Sequence, residues 1–182
     1  MSATVSINQR NGSFPGIVTQ NVSTISWKAV DDSTTPYTAY NASLGLGTNS
    51  YAVYAYLSFN GQFTTISNVQ ISYLSGSLPT GIKLMTSPSI TKDSQKLYYN
   101  LPSRLSLSSL TPNNFFIGQS VNLLLGQATT SDPGSSPHKQ VTANNYSGSL
   151  YSNYFVSQLQ VANNASPGIV GPITLQITYN EV

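Results

Sequence analysis

No cysteine occurs among the 182 residues, which excludes disulfides and thiolate metal sites, so robustness must come from packing or from assembly. Charge is nearly as scarce. Only 7% of the residues are charged, against about 25% in an average globular protein, so the polar surface must be built from Ser, Thr, Asn, Gln and Tyr. Such a surface is weakly repulsive and suits a protein that works packed against neighbours. A net charge of +2 is too small to point to nucleic acid: Arg10, Lys28, Lys83, Lys92, Lys96, Arg104 and Lys139 are scattered, and only Lys92 and Lys96 come close to a patch. No run approaches the roughly 20 apolar residues of a membrane helix, and no membrane partner is expected. Residues 1–7 lack both a basic n-region and an apolar h-region, which sets the expectation of synthesis in the cytoplasm.

Groups that do acid/base chemistry are equally few. The carboxylates are Asp31, Asp32, Asp93, Asp132 and Glu181, and a hydrolytic pair would need two of them facing one cleft. Asp31 and Asp32 are adjacent in Asp-Asp-Ser-Thr-Thr-Pro, a sequence that reads as turn chemistry through Asx-type hydrogen bonds. A hard cation could take their oxygens, but no twelve-residue acidic loop accompanies them. His138 is the single histidine, so a two-His metal site within one chain is excluded. No G-x-S-x-G elbow ties a serine to it. No catalytic, cofactor-binding or metal-ligating residue is assigned, and an enzyme is not expected. Asn11, Asn21, Asn41, Asn145 and Asn164 each open an N-x-Ser sequence, which a chain so rich in Asn and Ser produces by chance.

What is present is β-forming and aromatic. Twelve Tyr, six Phe and one Trp argue for a packed core rather than a disordered chain. Period-two patterning dominates. Ile173, Leu175, Ile177 and Tyr179 alternate with Thr174, Gln176 and Thr178, the signature of a half-buried strand. Tyr51, Val53, Ala55, Leu57 and Phe59 repeat the pattern with Tyr54 and Tyr56 opposite, so both faces of that strand should meet something. Asn60-Gly61 follows and predicts a hairpin turn, with 63–73 as the returning strand. Further strands are expected at 24–27, 82–85, 97–99, 120–125, 139–142 and 151–161. Long loops lie at 8–16, 28–49, 86–95, 128–137 and 162–172, and the length of 28–49 marks it as a contact element. The expected fold is all-β: a two-sheet antiparallel sandwich of jelly-roll topology with long loops. Residues 1–24, with little alternation, are expected as an extended N-terminal arm, and 25–182 as a single sandwich domain.

Tyrosine gives rigid contact area with a polar tip, which suits interfaces and sugar-stacking platforms, although its β-propensity alone would enrich it in sheets. Phe14, Trp27, Tyr37, Tyr40, Tyr54 and Tyr56 are the candidate interface residues.

Trp27-Lys28, Asp31-Asp32-Ser33, Pro36-Tyr37, Gly47-Thr48-Asn49-Ser50-Tyr51 and the run from Phe59 through Asn60-Gly61-Gln62-Phe63-Thr64-Thr65-Ile66-Ser67 to Asn68 together form a loose pattern over roughly the first 70 residues. In this pattern the chain resembles virion structural proteins of tailed bacteriophages, in particular capsid decoration (cement) proteins. The resemblance implies an all-β, non-catalytic domain, made in the host cytoplasm and carried on the virion. There it would bind the major capsid protein at the outer surface as a homodimer or homotrimer and stabilise the shell. The alternatives are a carbohydrate-binding module, with a glycan as partner, and a tail or fibre adhesin domain.

Overall fold

The computed structural model describes residues 2–11, 17–32, 34–36, 38–40, 43–86, 113–123, 125–126, 142–152, 154–168 and 170–182, with the side chains of 113, 126 and 142–149 excepted. Among them the chain is mostly antiparallel β-sheet with almost no helix. The strands are β1 (Thr4–Asn11), β2 (Ile17–Thr19), β3 (Val53–Ser75), β4 (Ile82–Thr86), β5 (Asn113–Asn114), β6 (Ser120–Asn122), β7 (Leu125–Gly126), β8 (Thr142–Ser152), β9 (Phe155–Val161) and β10 (Thr174–Glu181).

β3, with 23 residues, organises everything else. Its first half takes β1 on one edge, Val5 opposite Phe59 and Arg10 opposite Tyr54. β9 and β8 follow one another along its other edge, Val53 opposite Ser157 and Phe63 opposite Tyr146. Its second half takes β10, Ile71 opposite Ile177, and β6, Ile71 opposite Val121. β4 extends the first ladder beyond β9, Leu84 opposite Leu159, and carries β5 at its end. β2 pairs with β1 and β7 with β8.

The expected hairpin at Asn60-Gly61 is absent, because β3 runs straight through the pair. Ladder partners decide the matter: Asn60 faces Thr4 on one edge and Ser149 on the other, and Gly61 faces Gly148. Two neighbouring strands hold the dipeptide in the ladder, and Gly61 takes a φ of 118° there, which glycine tolerates without a Cβ penalty. The residues 63–73 therefore continue β3 instead of returning beside it.

Beyond Phe63 the side-chain phase changes twice. Phe59 and Phe63, then Ile66, then Val69, Ile71 and Tyr73 face the core, and the ladders shift register between Phe63 and Thr65 and opposite Thr178 to Asn180. Each bulge adds one unpaired residue and turns the strand. Asn68, at φ 51°, supplies the left-handed residue near the second. Through these bends one strand serves two ladders.

The main core gathers Leu57, Phe59 and Ile66 from β3, Leu84 from β4, Leu150 from β8 and Phe155 from β9, with Phe115 and Val121 from the β5 to β6 region. Phe115 meets Phe155 at 5.8 Å and Tyr73 at 5.9 Å between ring centroids, offset geometries that suit the ring quadrupoles. Tyr73 donates to the Gly76 carbonyl at 3.4 Å, and burial pushes its phenol pKa up.

The N-terminal segment is corrected from arm to sheet. β1 is an ordered strand with Asn8, Gln9, Arg10 and Asn11 all buried. Ala3, Val5 and Ile7 alternate onto the main core, and beyond Ile7 the buried residues of β1 are polar. Asn8 Nδ2 donates to Ser58 Oγ at 3.0 Å and Asn21 N to Asn8 Oδ1 at 3.3 Å. Residues 24–27 form no strand. Ile25 and Trp27 pack onto the core from irregular backbone. The expected strand 120–125 divides between β6 and β7, and 151–161 divides between β8 and β9. The expected strand at 97–99 and residues 139–141 of the one at 139–142 lie outside the described residues. β10 and β4 form where the alternation places them, and β10 is half-buried on its apolar face.

Candidate interaction surface

The tyrosines nearest the sheet centre are internal. Tyr54 and Tyr56 project from the face of β3 opposite the main core, where Ala52, Met85, Tyr154 and Val156 join them in a second buried cluster. Tyr154 sits edge-on to both, 5.9 Å from Tyr54 and 5.7 Å from Tyr56 between centroids, at interplanar angles of 89° and 90°. Each of the two is only 5% exposed, so these candidate interface residues lie inside the chain. Period two predicted the double burial of this strand, but not that its second face is filled by the chain itself.

Around this cluster, hydroxyls replace missing ladder partners. The register of β3 steps by one residue where β9 gives way to β8. Leu57 N–H, at that step, donates to Ser152 Oγ at 2.8 Å. Ser50 does similar work at the start of β3: its Oγ accepts from Leu159 N at 3.0 Å, and its carbonyl accepts from Gln158 Nε2 at 2.9 Å. All of these groups are buried, where an orphaned N–H costs more than a made bond returns.

Trp27 is half-buried against the core, and its indole N–H donates to Ser157 Oγ at 3.0 Å. The loop 28–49 leaves from it under firm control. Lys28, buried, sends its Nζ to the carbonyls of Asp32 and Thr35, both at 2.8 Å, and to Asp32 Oδ1 at 3.2 Å. Asp32 in turn accepts from Thr35 Oγ1 at 2.6 Å, Thr35 N at 2.7 Å and Thr34 N at 3.1 Å. The Thr35 hydroxyl and amide, with the Lys28 ammonium behind them, pull the Asp32 carboxyl from an ordinary 3.8 down to about 2. This is the turn chemistry expected of Asp-Asp-Ser-Thr-Thr-Pro. Further along, Leu44 packs on the core, and Val161 N–H donates to the Thr48 carbonyl at 3.0 Å. Between these anchors Tyr40 stands 95% exposed. Phe14 and Tyr37, the other candidate contact residues, lie outside the described residues, as do Asp93, Asp132 and His138. Glu181 accepts from Ala3 N at 2.6 Å and Ser2 Oγ at 3.0 Å, tying the end of β10 to the segment before β1. Among the described residues no three His, Cys, Asp or Glu gather as a metal site, and no helix is long and apolar enough to cross a membrane.

One apolar surface was not foreseen. Gly118 N–H donates to the Tyr73 carbonyl and Tyr73 N–H to the Gln119 carbonyl, both at 3.0 Å, which sets Leu74 beside a tight turn closed by Gln119 N to Phe116 O at 3.0 Å. Gly118, at φ 90°, makes that turn. Leu74, Phe116 and Ile117 are thereby held with about half of each side chain in solvent. Phe116 follows the buried Phe115, so Phe-Phe-Ile reads in sequence as core, and the turn that throws its second half outward has no periodic signal.

Comparisons with protein-family models, with curated proteins and with solved structures find no match.

Proposed function

We propose that this chain is a virion structural protein, a decoration protein that seats on the outer surface of a tailed-phage capsid and braces its major capsid protein. The observation that carries the reading is the exposed tip of Leu74, Phe116 and Ile117, large apolar side chains held in solvent, a feature of the kind that marks contact with another protein. The tip is fixed by backbone hydrogen bonds to β3, so little side-chain and loop freedom is lost on docking. A chain with only 7% charged residues adds little repulsion between closely spaced copies, and weak contacts repeated by symmetry gain strength through avidity.

A two-sheet sandwich of jelly-roll topology accommodates this reading. The ladder of β1, β3, β9 and β4 and the ladder of β10, β3 and β6 send side chains into the same main core, which supports facing sheets. The sugar-binding alternative needs exposed coplanar rings. Among the described residues the clustered tyrosines are buried and perpendicular, and this weighs against it.

Sedimentation of particles from a phage-producing culture tests the proposal, with the chain followed by antibody and particle surfaces imaged by electron microscopy. The chain should travel with icosahedral particles, in regular copies on their outer surface. Rebinding of a Phe116→Ser, Ile117→Ser variant to stripped particles should be weaker by about tenfold or more, as for a central apolar anchor. A chain found only among free proteins, or a tip variant that rebinds like the wild type, overturns the reading. Retention on a glycan array in place of particles transfers the function to sugar binding.

A further inference from the structure

The outer edge of β10 is an interaction surface of a different kind. Among the described residues β10 pairs with β3 alone, leaving an eight-residue strand edge. Sheets usually guard such edges with lysine, proline, bulges or inward-pointing charge, because unpaired peptide groups recruit another strand. β10, Thr-Leu-Gln-Ile-Thr-Tyr-Asn-Glu, has no proline and no lysine. Its sole charge, Glu181, is engaged at the strand end with Ala3 and Ser2.

The direction of the peptide groups follows from the ladder. Tyr73 N–H and C=O both bond to the β6 side, so Ser72 and Gln70 are the β3 residues whose peptide groups turn toward β10. Their partners there are Gln176 and Thr178. By alternation, the peptide groups of Leu175, Ile177 and Tyr179 point away from β3. The side chains of these same residues are only half-buried against the main core, and among the described residues no strand pairs along their outer flank.

We infer that the edge is completed by β10 of a second copy of this chain, antiparallel, about a two-fold axis at Ile177. That register is self-complementary. Ile177 faces its own copy, and Leu175 faces Tyr179 in both directions, so outward peptide groups meet outward peptide groups and the apolar face continues across the axis. On the other face Gln176 meets Thr178 and Thr174 meets Asn180, all uncharged. Centring the axis on Thr178 instead would set Leu175 against the engaged Glu181. A two-fold contact between identical patches is the commonest way in which homo-oligomers close. The inference stands independently of the capsid reading.

Light scattering on the full chain across a dilution series, with charge variants on exposed positions of β10, tests it. Gln176→Lys with Thr178→Lys sets like charges opposite one another twice across the axis and should weaken dimerisation by about tenfold or more. Gln176→Lys with Thr178→Glu sets opposite charges there and should restore it. Circular dichroism of each variant should match the wild type, since Gln176 and Thr178 are exposed. A wild-type chain that stays monomeric, or a lysine pair that dimerises like the wild type, overturns the inference. So does a lysine–glutamate pair no tighter than the lysine pair. Shell binding without β10 pairing would leave the decoration reading intact and still overturn this one.

Discussion

Replacing Lys28 by Met should loosen the loop 28–49 without touching the core, and the cost can be worked from its three hydrogen bonds. The Lys28 side chain is 6% exposed, and its ammonium holds two carbonyls at 2.8 Å and one carboxylate oxygen at 3.2 Å. Methionine keeps the apolar stem and removes the donors, leaving the Asp32 and Thr35 carbonyls without this partner. Asp32 is 40% exposed, so water reaches part of the site and the full penalty of breaking a buried ion pair does not apply. The expected loss is about 1–3 kcal/mol. With an m-value of about 2 kcal/mol/M, the urea midpoint falls by roughly 0.5–1.5 M. Trp27, the single tryptophan of the chain, is the adjacent residue and the natural fluorescence reporter.

A pH series separates the parts of the clamp. Asp32 has a depressed carboxyl pKa in the folded state, so its contribution is complete above the unfolded value near 3.8 and is lost as pH falls toward about 2. Because the Thr35 bonds are the larger cause, Lys28→Met should retain most of that acid slope, whereas Asp32→Asn should remove it. A midpoint unchanged in Lys28→Met at constant m, or an acid slope that vanishes with Lys28 alone, would refute this account of the loop.

Substitutions at two further sites probe the sheet. Ser152→Ala removes the acceptor of the buried Leu57 N–H and should cost about 1–3 kcal/mol, read as a lower urea midpoint; Ser152→Thr, which keeps a hydroxyl, should recover part of it. Phe59→Ala empties a fully buried site on β3 that also carries an edge-to-face contact with Tyr179 at 5.2 Å. It should lose about 3–5 kcal/mol, and a melting temperature within a degree or two of wild type would show that β3 is not the spine of the core.

Those three sites differ in how visible they were from sequence. Phe59 lies in a run of alternating apolar residues, and the burial of β3 on both faces was legible from Tyr54 and Tyr56 interleaved with Val53, Ala55 and Leu57. The half-buried β10 was legible for the same reason. Ser152 was not, since a serine that substitutes for a ladder acceptor at a register step looks like any other serine of a polar strand. Asn60-Gly61 misled because turn chemistry is local and strand pairing is not. The dipeptide can turn, but β1 and β8 on either side hold it in the ladder. The N-terminal strand carries only a short apolar alternation, Ala3, Val5 and Ile7, and its second half is hidden by polarity, since Asn8, Gln9, Arg10 and Asn11 are buried.

The same limits apply to contact surfaces. Chemistry alone places aromatic side chains at interfaces, yet Tyr54 and Tyr56 are spent on internal packing with Tyr154. A strand at the centre of a sheet has no edge to offer, and when the chain covers both its faces it has no face to offer either. Among the described residues, the pairing scheme leaves open the turn beyond β5, where Phe116 and Ile117 stand clear of the sheet, and the outer rim of β10. Neither has a sequence period, because a turn follows no alternation and an edge strand alternates just as an interior one does. Their availability is a property of topology, fixed only once β3 has taken all of its neighbours. For a chain with so little charge, a rigid apolar tip and an open strand edge are, among the described residues, surfaces on which the proposed docking and pairing do not depend on charge.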